Sequence, residues 1–305
     1  MVLTLNEWKQ LRYNSESVWG CQMTPRNDLA ITGNLDGNLR IWDVNRNQVI
    51  HDCNPGSGSM WDVAISQNQA YAIGGTSDNV VVCWDINTGQ KVREFRGHTD
   101  RVFSCRFSMN DRQIVSGSYD HNIKIWDFQS GQCLATLKGH SSEVKSVHVT
   151  PDNRLIVSGE DSGTIKVWNF GDGTLIRSMK AHTNTMYTID ICRTTPMILS
   201  GADDHMIKVW DMNTGNELKS ISSPQNSFVS VAISNDTKLA IAGDRSGNIK
   251  LFSTRTGALV GEAKGHTDLV TDINYSPDNR YFISGSQDNT VRIWQLDWNA
   301  LNREL

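Results

Sequence analysis

Residues 97–127 read GHTDRVFSCRFSMNDRQIVSGSYDHNIKIWD and contain the parts of a hydrolytic site. His98 could serve as general base, Ser116 as nucleophile and Asp120 as the carboxylate that orients the imidazole. Trp126 closes the stretch. The same set recurs as His182–Ser200–Asp204–Trp210 and as His266–Ser284–Asp288–Trp294. Three equivalent active sites in one chain would be odd, whereas repetition of a residue set is what an architectural element produces. The alternative chemistry is a hydrogen-bond chain. An indole N–H only donates, a hydroxyl and a neutral imidazole each donate and accept, and a carboxylate accepts, so the four types can satisfy one another in series.

The elements that must position these sets repeat too. Trp42, Trp84, Trp126, Trp168, Trp210 and Trp294 fall on multiples of 42, and the one gap is filled by Phe252. Around them the chain reads NLRIWD, VVVCWD, NIKIWD, TIKVWN, MIKVWD, NIKLFS and TVRIWQ, each alternating like a strand. Turn signals such as NTGQ, QSGQ and RTGA follow, and strands such as QIVSGS and RVFSCRF precede. Four strands in each unit of ~42 residues, with no helical period, predict a β-propeller.

The GH…WD signature resembles that of the WD40 family over nearly the whole chain. GH stands at 97–98, 139–140 and 265–266, with Ala181-His182 as a variant, and WD stands at 42–43, 84–85, 126–127 and 210–211. The resemblance implies an all-β ring of seven four-stranded blades formed by residues 1–305 as a single domain. It also implies that the His–Ser–Asp–Trp sets brace blades rather than catalyse. After Trp294 there is little chain left for an outer strand, and EWKQLRY (7–13) aligns with outer strands such as CLATLKG. Residues 4–12 are therefore expected to form the outer strand of the last blade and close the ring, leaving 297–305 as a C-terminal tail.

Some repeats depart from the pattern. Repeat 1 has Asn14, Thr32, Asp36 and Trp42; repeat 2 has Gly56 and Gly74 with Asp78 and Trp84; repeat 4 has His140, Ser158 and Trp168 but Ser162 in the aspartate place. Repeat 6 keeps none, having Pro224, Ala242, Ser246 and Phe252, and is expected to be the most labile blade.

The seven copies also separate core from surface. Counting from the His98 position, the fourth residue on (Val18 to Val270) and the seventh (Cys21 to Ile273) are apolar throughout, as for strands covered on both faces. The fifth is not: Trp19, Trp61, Phe103, Lys145, Tyr187, Val229 and Thr271. A β-bulge that re-aims this side chain would explain the mixture. The third residue (including Arg101 and Glu143) and the residue seven before the tryptophan (including Tyr119, Asp161, Asp203 and Arg245) vary as well. In the family that the chain resembles, these three positions ring the top-face entrance, where peptides dock. One side of that ring is aromatic and the other charged. The candidate partner-binding residues are thus Trp19, Trp61, Phe103, Tyr119, Tyr187, Arg101, Lys145, Glu143, Asp161, Asp203 and Arg245.

Composition narrows the function class. Lysine plus arginine total 29 and aspartate plus glutamate 33, a net charge of −4, without the basic bias of a nucleic-acid binder. No apolar run is long enough to span a bilayer, and MVLTLNEWKQLRYN lacks the pattern of a signal peptide, so an intracellular location is expected. The six cysteines show no metal-binding spacing and are expected to be reduced, most of them in apolar strands. No nucleotide or metal motif occurs, and no cofactor is expected. The expected function is a non-enzymatic scaffold or adaptor that binds a peptide segment of a partner protein at the top face. The alternatives are a structural subunit held by its blade edges in a large assembly, and a histone-tail or methyl-lysine reader.

Overall fold

The computed structural model describes residues 2–12, 16–54, 56 and 58–304; Asn14, the residue in the histidine place of repeat 1, lies outside them. Seven antiparallel sheets follow one another along the chain. Blade 3 is typical, with an inner strand Val102–Phe107, then Gln113–Ser118, Ile123–Asp127 and an outer strand Cys133–Leu137. The alternating strand pattern of the sequence gives each blade two apolar faces, and each is covered by the neighbouring blade.

Seven core clusters show this directly, since each spans one junction between blades. Ile73, Val81 and Phe95 of blade 2 pack with Cys105, Ile114 and Trp126 of blade 3, and Trp294 packs with Leu251 and Val260 across the junction of blades 6 and 7. The anchor tryptophan of a blade leans on the blade before it. Glycines permit the close approach on the other side. A Cβ on Gly117 would lie 2.6 Å from Cγ1 of Val144 in the next blade, which is why the second strand reads VSGS. Gly97 has φ +149, and a Cβ there would meet the Trp126 ring at 3.3 Å.

The ring is closed by the N-terminal strand. Glu7–Arg12 pairs antiparallel with Thr290–Gln295 and forms the outer strand of blade 7, with Leu11 opposite Val291 and only 1% exposed. The expected boundary of 4–12 is corrected to 7–12. Leu3–Thr4 crosses to the neighbouring sheet and pairs parallel with Leu259–Ala263, the outer strand of blade 6. The segment is split because blade 6 presents an apolar edge that Leu3 and Leu5 cover. At the other end, Trp298–Leu301 forms a helical turn capped by Asp297, and Leu301 is fully buried.

Blade 6 replaces its missing signature with another buried network. Asp244, 1% exposed, accepts from Asn226 Nδ2 and from the N–H groups of Ser246 and Asn248, both at 2.9 Å. Lys250 Nζ completes the network by donating to Asn226 Oδ1 at 2.6 Å. Every residue of its inner strand Phe228–Ile233 and of Leu239–Asp244 is buried. The carboxylate stands two residues after the serine place, at Asp244, so alignment by signature position does not reveal it. Amide exchange in 224–252 is expected to be as slow as in 98–126. Asp244→Ala should remove that protection selectively and cost about 1–3 kcal/mol, because it leaves the buried Asn226 amide and the N–H groups of Ser246 and Asn248 without their acceptor; faster exchange in the unmodified blade 6 would contradict this.

Candidate functional site at the channel entrance

The His–Ser–Asp–Trp sets are hydrogen-bond chains closed to substrate. In blade 3, Trp126 Nε1 donates to Ser116 Oγ at 2.8 Å, His98 Nε2 lies 2.8 Å from the same hydroxyl, and His98 Nδ1 lies 2.7 Å from Asp120. The consistent assignment runs from indole to hydroxyl to imidazole to carboxylate. Ser116 has no exposed surface, so its oxygen cannot meet an external carbonyl. Ser200 with His182, Asp204 and Trp210, and Ser284 with His266, Asp288 and Trp294, repeat the geometry at 2.7–3.0 Å. Burial alone would raise Asp120 and Asp288, but the histidine and backbone N–H groups donating to them hold both below the usual carboxylate range.

Blade 4 completes its chain differently from expectation. Ser162 does not replace the aspartate. Glu160 does, with Oε2 2.7 Å from His140 Nδ1, while Ser158 bridges His140 and Trp168. Ser162 instead donates to Glu160 at 2.6 Å. A longer side chain, starting two residues earlier, reaches the same imidazole.

The entrance is built by a repeated irregularity. In all seven blades the pairing of the first two strands shifts register at the fifth residue, between Val102 and Ser104 in blade 3 for example. The third residue and the residue seven before the anchor are joined by backbone hydrogen bonds, as from Tyr119 N–H to the Arg101 carbonyl and from Asp161 N–H to the Glu143 carbonyl. These bonds place the two variable positions on one rim.

Along one side of the rim the aromatic residues form a continuous ladder. Trp19 meets Trp61 edge-on with ring centres 4.8 Å apart, Trp61 stacks on Phe103 at 5.5 Å, and Phe103 stacks on Tyr119 at 5.5 Å. Lys145 caps the ladder, its ammonium 5.0 Å from the Phe103 centre and 4.2 Å from that of Tyr119. It also lies 3.4 Å from Asp161. The Arg101 guanidinium lies 6.0 Å from the centre of the Tyr119 ring. The indole N–H groups of Trp19 and Trp61 have no acceptor. Both tryptophans, with Phe103, Lys145 and Tyr187, wall a pocket of about 50 Å³ at the channel mouth.

On the other side, Tyr187 donates to Asp203 at 2.8 Å, and Arg245 pairs with Asp203 at 3.0 Å while its guanidinium lies 5.2 Å from the Tyr187 ring. Burial, then Asp203, pushes the Tyr187 phenol up to about 12. Val229 and Thr271, the fifth residues of blades 6 and 7, are buried.

Below the entrance lies a cluster that the sequence comparison did not single out, at the sixth and eighth residues of the inner strands. Asp62 accepts from the Cys105 N–H at 2.9 Å, Asp190 from the Ile233 N–H at 2.8 Å and Asp272 from the Cys21 N–H at 2.8 Å. Each bond staples one blade to the next, and the last joins blade 7 to blade 1. Arg106 pairs with Asp62 at 2.5 Å. In the other repeats the sixth place from the His98 position holds Gly20, Ser104, Ser146, Thr188 and Ser230 and the eighth holds Gln22, Ala64, His148, Ala232 and Asn274, and charged residues among these small or polar ones were the available signal. Among the described residues no group of three or more His, Cys, Asp or Glu side chains could hold a metal ion. No helix there is long and apolar enough to cross a membrane.

The family model for the WD domain, G-beta repeat, matches residues 8–43, 89–127, 131–169, 173–211 and 257–295, over half of the chain. The chain belongs to the WD40 family. The matched segments each end at or beside an anchor tryptophan. The second and sixth WD40 repeats, which have lost the histidine and serine of the signature, fall outside them. No curated protein matches the chain. As a WD40 propeller it has the architecture of a protein-interaction scaffold.

Asp272 links this channel to pH. Burial, and then repulsion from Asp62, pushes its carboxyl up to about 7. The folded state therefore keeps a proton that the unfolded chain releases near pH ~4. The group's contribution to stability falls as pH rises from about 4 to about 7, and is constant above. Asp272→Asn removes the titration and keeps a hydrogen-bond acceptor for Cys21. Its gain in melting temperature at pH 8 should exceed that at pH 4.5 by about 2–4 °C, measured by calorimetry; an equal shift at both pH values would show that Asp272 is not the group responsible.

Proposed function

We propose that the top-face entrance binds a peptide segment of a partner protein, and that the chain serves as a non-enzymatic scaffold. The ladder Trp19–Trp61–Phe103–Tyr119 carries this reading. Four aromatic side chains in mutual contact on a half-exposed rim are the kind of surface on which binding energy concentrates. The bulge at the fifth residue supports the same view, because such devices re-aim side chains at functional rims.

The preferred ligand residue follows from what the charged side already holds. Lys145 covers Phe103 and Tyr119, and Arg245 covers Tyr187, with Asp161 and Asp203 paired to these cations. At Phe103, Tyr119 and Tyr187 a methylated lysine would have to displace an internal cation, which disfavours the histone-reader alternative. An apolar or aromatic side chain suits the half-buried Trp19–Trp61 end better.

The test is affinity purification of the tagged protein against the Trp19→Ala, Trp61→Ala, Phe103→Ala triple variant. Partner recovery should fall at least about tenfold, as expected for loss of hot-spot aromatics. Undiminished recovery from a triple variant with an intact far-ultraviolet spectrum and cooperative melting would refute the site.

A further inference from the structure

The residue two after each anchor is apolar in six repeats, such as Met212 and Leu296, and is Thr254 in repeat 6. The apolar residue fills the wedge between its own blade and the one before it. Phe128 does so against Tyr71 and Phe107, with ring centres 5.0 and 5.7 Å away. Thr254 leaves the wedge between blades 5 and 6 open, as a groove of about 510 Å³. Met197, Val209 and Leu218 line it, and Leu218 is 48% exposed.

One repeat further on, the molecule shows the same place occupied. The counterparts of Met197, Val209 and Leu218 are Leu239, Leu251 and Val260, and Val260 is only 2% exposed. They share one core cluster with Leu3, Leu5, Leu296 and Leu301. The N-terminal segment reaches them as an extended strand, with Leu3 opposite Gly261, Thr4 opposite Glu262, and the Leu5 N–H donating to the Glu262 carbonyl at 2.9 Å. In blade 5 the corresponding residues are Lys219 and Ser220, on Glu217–Ser222, the outermost strand of its sheet. Blade 5 therefore offers both halves of the same site, a strand edge that can add a strand and an apolar groove beside it.

We propose that the groove between blades 5 and 6 receives an extended Leu-x-Leu segment of a partner protein, added as a parallel fifth strand to blade 5. Lys238 and Arg255 also line it, and Lys238 faces Asp236 at 3.9 Å, so the two leucines and the strand edge carry recognition. This site is separate from the top-face entrance and does not rest on it.

A fluorescein-labelled peptide EEVLTLNEE, which carries the chain's own Leu-Thr-Leu between acidic ends, is the probe. Titration with the full chain should give saturable anisotropy below about 1 mM. Leu218→Glu should weaken binding at least about tenfold, and so should replacing both peptide leucines by aspartate. Thr254→Leu, which reproduces the Leu296 of the occupied junction, should keep or strengthen binding and raise the melting temperature, which separates the site from the fold. Trp61→Ala should leave binding unchanged. Absence of saturation, undiminished binding by Leu218→Glu, or loss of binding in Thr254→Leu would overturn the proposal. So would a homodimer in light scattering that Leu218→Glu dissolves, since the occupant would then be a second copy.

Discussion

Coverage of each blade by its neighbours is the constraint on which the rest depends. All seven core clusters straddle a junction between blades. A single sheet therefore has no core of its own, and an open row of blades would leave two apolar faces in water. Closure satisfies both at once. It is locked twice, at the outside by Glu7–Arg12 on Thr290–Gln295 and in the channel by Asp272 on the Cys21 N–H. The chain ends nearest in space are thus the ones farthest apart in sequence.

Rigidity of the frame leaves the entrance free to vary. The inner strands hold apolar residues at the fourth and seventh places, and the indole-to-carboxylate chains fix the loops above them. Residues between these fixed points answer to other demands, which is how Trp61, Lys145 and Thr271 can occupy equivalent positions. The bulge in every blade turns that variation into a rim. The polar bracing shows the same tolerance. Glu160 in blade 4 and Asp244 in blade 6 supply a carboxylate from a different starting point, because what the buried donors require is an acceptor at the right place, whichever residue delivers it.

Much of this was legible from the chain. The period, the strand alternation and the recurrent signature specify seven blades because each repeat must solve the same burial problem. The closing strand was legible as well, since the last repeat lacks an outer strand and the N-terminus has one to spare. The candidate rim was found by asking which positions drift. What escaped was compensation across register. Glu160 and Asp244 lie two residues from the serine place, and the division of the N-terminal segment between blades 6 and 7 depends on an apolar edge contributed by residues over 250 positions away.

The sequence alone determined the number of blades, the anchor of each and the residues open to variation, because those follow from local period and from the apolar pattern of single strands. Only the tertiary structure decided which variable residues act together. The ladder from Trp19 to Tyr119 joins three blades, the cations that cover the other aromatic faces come from neighbouring repeats, and the stapling carboxylates act across junctions. The His98–Ser116–Asp120 set illustrates the difference. Its residue types and spacing permit catalysis or bracing, and burial of the serine oxygen between an indole and an imidazole selects bracing.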